Sequence, residues 1–116
     1  LDERTDLRRP RRVRELHLDT AYGDVRHRNP RDGVGDTAWL TAPGGARTVL
    51  WQDLNWGFMQ VYTTPAYPRP EGPGTAVAVE PMTAPPDALN SGEGLVWLEP
   101  DERWSGGWGL RHEAAR

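Results

Sequence analysis

The residues best suited to chemistry in this chain lie along Val77-Ala78-Val79-Glu80-Pro81-Met82 and the loop that follows. Glu80 closes an alternating apolar segment, so a strand would deliver its carboxylate to the rim of a sheet. Pro81 then removes a backbone donor and stops ladder pairing. Val79 and Met82 beside it would partly desolvate the carboxylate, and desolvation makes a carboxylate a stronger base, as general-base catalysis requires. The plainer alternative is a strand-end Glu that is solvated or caps a turn. Asp87-Ala88-Leu89-Asn90 reads as a turn whose side chains bond local backbone groups. The histidines are His17, His27 and His112. A surface or packing role is the default for each. His17 has the best geometry, because it lies two residues before Asp19 and shares its strand face.

Six arginines crowd into residues 4–14, interrupted by Asp6 and Pro10. Such an arm could grip phosphates or an anionic sugar. The plainer reading is a solvated linker, since the chain has no lysine and every positive charge must be Arg. No aromatic residue interleaves the run, which disfavours nucleic acid.

Positioning these groups falls to short strands. Alternation and β-branched or aromatic content mark residues 13–18, 34–42, 46–51, 56–63, 75–79, 95–99 and 104–110. Pro43-Gly44-Gly45 between the second and third signals a hairpin. On residues 56–63 one face carries Trp56, Phe58, Gln60 and Tyr62. No segment has sustained helical spacing with caps. Seven short strands separated by turn residues predict an all-β chain, an antiparallel β-sandwich or barrel. Residues 65–74 and 81–94 are then the long loops, where sites concentrate.

Composition narrows the classes. The 116 residues suit one domain, with residues 1–12 an Arg-rich linker or loop and 13–116 the β-domain. Only 36% of residues are hydrophobic, so the core must be small. With no cysteine there is no disulfide framework, thiolate nucleophile or cysteine-ligated zinc. No apolar run approaches the roughly 18 residues of a membrane span, and a net charge of −3 supplies no global basic field. Zero cysteines and no visible signal segment make the cytoplasm the expected location. The expected partners exclude nucleic acid and membrane.

The run VAVEPMTAPPDALNSGEGLVWLEPDERWSGGWGL resembles the C-terminal segment of the aldose 1-epimerase (mutarotase) family, in particular its bacterial branch with E-P-M-T-x-P-P-D-A-x-N-S-G. Glu80, Pro86-Asp87 and Asn90 fill the places of that motif. Leu18-Asp19-Thr20-Ala21-Tyr22 resembles the family's substrate-binding strand, although that motif is weak by itself. The likeness extends over most of residues 13–110.

The resemblance implies part of a galactose-mutarotase-like β-supersandwich that interconverts the α and β anomers of an aldohexose. It implies Glu80 as general base and Asp19 as a partner for sugar hydroxyls, with no metal or organic cofactor. The family's acid histidine lies in an N-terminal half that this chain does not match, so the resemblance is to a fragment carrying the base without the acid. Two alternatives stand beside it: a non-catalytic carbohydrate-binding β-domain, and a sugar-phosphate epimerase of the same fold using the arginine cluster. A partial sandwich would expose strand edges and tryptophans, so self-association is expected.

Overall fold

The computed structural model describes residues 2–116. Leu1, the first residue of the proposed linker, lies outside the described residues. The strands are β1 (Asp19–Tyr22), β2 (Arg28–Arg31), β3 (Val34–Thr41), β4 (Arg47–Asp53), β5 (Phe58–Tyr67), β6 (Gly74–Met82) and β7 (Trp108–Glu113). A one-turn helix, α1 (Ala88–Ser91), lies in the long connection after β6. All pairings are antiparallel, in two sheets ordered β1-β5-β6 and β2-β3-β4-β7. The chain is an all-β sandwich, as its turn-punctuated alternation requires.

Two hairpins show how local sequence builds the larger sheet. Pro43-Gly44-Gly45 closes β3 onto β4, with Gly45 at φ +96° and Ala42 N–H bonded to the Ala46 carbonyl at 2.8 Å. Asp32-Gly33 closes β2 onto β3 with both residues at positive φ, as a tight two-residue hairpin requires. Strand β2 lies outside the segments that alternation marks as strands. Its Arg-Asn-Pro-Arg sequence has no apolar alternation and is exposed throughout, so only the Asp-Gly turn announces it.

Between the sheets Leu16, Leu18, Leu50, Met59 and Val61 form the core, with Leu7, Tyr22, Val25, Ala38, Val77 and Val79 packed around it. The expected strand over residues 13–18 is instead a 3-10 turn at Val13–Glu15 followed by extended chain. Glu15 and Leu16 N–H groups bond the Arg12 and Val13 carbonyls, which withdraws them from any ladder. The alternation survives: Leu16 and Leu18 are buried while His17 and Asp19 face out. Thr63 secures this stretch, accepting from Leu18 N–H at 2.9 Å and donating to the Leu16 carbonyl at 3.1 Å.

The Arg-rich segment is strapped to the domain. Leu7 packs on the core, and the Tyr22 hydroxyl donates to the Thr5 carbonyl. The expected strand over residues 95–99 joins neither sheet, and β7 begins at Trp108, four residues later than the sequence suggests. Val96, Trp97 and Leu98 consequently stand exposed, Trp97 by 80%.

The smaller sheet does not cover all of the larger one. Register places Leu110 opposite Leu50 and Trp108 opposite Gln52, so these side chains share the inner face. Leu50 and Gln52 are buried, yet Leu110 is 65% and Trp108 52% exposed. The accessible surface of 8979 Å² is about 40% above the roughly 6,300 Å² of a compact monomer of this mass. Among the described residues no helix is long and apolar enough to cross a membrane.

Candidate functional site

Glu80 does not close a strand. β6 runs through Glu80 and Pro81 to Met82, with Gln60 opposite Glu80 and Met59 opposite Pro81. Proline is tolerated there because β6 is an edge strand, where a missing N–H leaves no interior partner unsatisfied. The expected desolvation is also absent. Val79 points to the opposite face, towards the core, and Glu80 is exposed.

Strand register brings Glu80 and Asp19 onto one face. Directly opposed residues share a face, so Ala21, Gln60 and Glu80 form one row across the small sheet, and Asp19, Tyr62 and Ala78 the next. The Gln60 amide joins the rows, donating from Nε2 to Asp19 Oδ1 at 2.7 Å. Its other end, Oε1, is buried and has no hydrogen-bond partner among the described residues. Phe58 and Met82 form the following row. An open sheet face therefore presents two carboxylates and the rings of Tyr62 and Phe58, with the Gln60 amide tying its rows together. That set suits a small, neutral, hydroxyl-rich molecule, whose hydroxyls donate to carboxylates while its apolar faces lie on aromatic rings. Gln60 gains its role only from this register. Its placement beside Phe58 and Tyr62 on one strand face was the available sequence signal.

The loop after β6 frames the same face. Asp87 adopts a left-handed conformation (φ 66°) and accepts from Asn90 Nδ2 at 2.6 Å, fixing the turn into α1. The expected turn forms, but its two side chains bond each other rather than the backbone, while the backbone N–H groups of Asn90 and Ser91 reach the Asp87 carbonyl. The loop then returns so that Gly94, at φ +69°, lies against the Phe58 ring and Ala84. A side chain there would be strained by φ and crowded by the ring.

The histidines stand apart from Glu80. Leu18 bonds Thr63, which sets His17 level with Thr64, whereas Glu80 is level with Gln60. Four residues of about 3.4 Å and two interstrand steps of about 4.8 Å separate the Cα atoms of His17 and Glu80 by roughly 16 Å. One pyranose ring cannot bridge that gap. His27 Nε2 lies 3.0 Å from the Asp53 carbonyl and must donate to it. His112 is exposed on β7, in the other sheet.

Half of the arginine run is engaged by acids and carbonyls of the same segment. Arg8 binds Asp6 through two N–H groups, at 2.9 and 2.7 Å, and holds that carboxyl well below the usual range. Arg4 pairs with Asp2 at 3.7 Å, and Arg11 donates to the Glu3 and Asp6 carbonyls. Arg9, Arg12 and Arg14 remain as exposed cations.

Comparison with family models, with curated proteins and with solved structures finds no match to this chain.

Proposed function

We propose that the open face of the small sheet binds an aldose and that Glu80 is the general base of an aldose 1-epimerase. The observation that carries this reading is the Asp19–Gln60–Glu80 array: two carboxylates on one sheet face, with Gln60 between them and hydrogen-bonded to Asp19. The likeness of the residues around Glu80 to the mutarotase motif assigns the roles. Glu80 takes the anomeric hydroxyl proton while an acid protonates the ring oxygen. The C1–O5 bond breaks, the C1–C2 bond rotates, and reclosure returns both protons with the other anomer formed. Asp19, oriented by the Gln60 amide, accepts from sugar hydroxyls and holds the ring. A bound ring also displaces water from the exposed Glu80 carboxylate. His17 is out of reach of that ring, so the acid is a group outside the Asp19–Gln60–Glu80 array.

That distance favours a second reading, a non-catalytic carbohydrate-binding domain using the same array. A sugar-phosphate epimerase is the weaker alternative, because Arg4, Arg8 and Arg11 are already partnered. Polarimetry of freshly dissolved α-D-glucose and α-D-galactose, beside Glu80→Gln, tests the proposal. Acceleration that disappears in the variant supports it. Sugar binding without acceleration leaves the binding reading. Absence of both sinks the array as a sugar site.

A further inference from the structure

We infer that the sheet face accommodates the reducing end of an oligosaccharide, with a second sugar ring beyond Phe58; this rests on the aldose-binding reading above. Beyond the Phe58 ring lies an open concavity of about 530 Å³, lined by Gly23, Asp24, His27, Trp56, Phe58 and Glu93 among others. Its size falls within the roughly 300–1,000 Å³ of ligand clefts. Phe58 belongs both to this concavity and to the face bearing Gln60 and Glu80, so the two regions adjoin at its ring. Along β5, Gln60 and Phe58 are two residues apart, about 6.7 Å. That step is comparable to the advance from one pyranose to the next in a linked chain.

The lining has the chemistry of a sugar subsite. The two aromatic side chains are held in place before any ligand arrives. Phe58 lies against Gly94 on one side and near Gly23 on the other, where the lack of a side chain leaves its ring edge uncovered. Trp56 gives its indole N–H to the Gly107 carbonyl at 3.0 Å and packs edge-on against Trp104, with ring centroids 5.2 Å apart. Neither ring must be ordered when a sugar stacks on it, which spares entropy on binding. Around them the acceptors are separate. Asp24 and Glu93 stand exposed, and His27, with its proton on Nε2, offers Nδ1. A purely apolar ligand would leave these groups facing it unpaired, whereas a pyranose supplies hydroxyls to them and C–H faces to the rings.

Calorimetric titration of the intact chain with D-glucose and D-galactose, then maltose, cellobiose and lactose, tests the inference. At least one disaccharide is expected to bind about tenfold more tightly than its reducing-end monosaccharide, the gain of roughly one or two hydrogen bonds plus stacking. Glu93→Ala and Asp24→Asn, both at exposed positions, remove most of that gain and leave the monosaccharide affinity unchanged. Asn tolerates the positive φ of residue 24, so that variant keeps its turn. Monosaccharide binding with no disaccharide advantage overturns the second ring and leaves the first site standing. Failure of every sugar to bind overturns both.

Discussion

Gln60 donates its side-chain amide to Asp19 across 2.7 Å, tying β5 to β1 on the face that also carries Glu80. The bond leaves the other amide end buried, with no partner among the described residues, so Gln60 acts by orienting the Asp19 carboxylate. Replacing Gln60 with Met keeps the length of the side chain and removes the bond that orients Asp19. Aldose affinity is expected to fall about five- to tenfold, with stability changed by less than about 1 kcal/mol. Asp19→Asn produces a comparable loss, and the double variant loses less than the sum because the two act as one unit. Strictly additive losses, read by titration, would show that the pair does not position sugar together.

Gly109 holds a second cross-strand relationship. It lies opposite Trp51, and the indole occupies the space in which a side chain at 109 would begin. Gly109→Val therefore displaces the Trp51 ring and is expected to cost about 1–3 kcal/mol in urea unfolding. The change leaves sugar binding intact, since Trp51 belongs to the larger sheet. An unchanged unfolding midpoint contradicts this packing.

The ion pairs on β7 give stability a defined pH dependence. Arg47 and then Arg111 donate to Glu113 and hold its carboxyl below the ordinary value of 4.5. A carboxylate lowered on folding contributes above its unfolded pKa, and the contribution disappears as pH falls through the folded value. Between about pH 7 and pH 3 the wild type should lose more stability than Glu113→Gln. The carboxylate is only partly buried, so about 0.5 M salt shrinks the difference. Equal acid sensitivity of the two proteins argues against the pairing.

The uncovered flank at Trp108 and Leu110 predicts reversible self-association. The chain exposes roughly 2,600 Å² more than a compact monomer of its mass, and a standard interface needs only about 800 Å² from each partner. β7 also ends its sheet, so its outer backbone groups are unpaired within the fold. Sedimentation velocity is expected to show mass rising with concentration, and Leu110→Lys to suppress the rise. A monomer unchanged up to about 100 μM, where a micromolar dimer would be nearly complete, contradicts it.

The sequence alone determined the all-β class, because a one-in-two alternation broken by Gly, Pro and Asp can bury an apolar face only in sheets. It also located the β3–β4 hairpin, β5 with its aromatic-polar face, and the sidedness of Leu16, His17, Leu18 and Asp19. These are local properties of turn chemistry and side-chain period. It could not decide which strands become neighbours. That choice let β6 run on through Pro81 as an edge and put Glu80 in the open. It left residues 95–99 without a partner and drew the polar β2 into a sheet through a two-residue turn. The candidate site belongs to the same level. Asp19, Gln60 and Glu80 are far apart in sequence, and only antiparallel register sets them on one face and removes His17 from reach. Register is fixed by burying Met59, Val61 and Val79 on the reverse of the sheet, a constraint imposed by the assembled core.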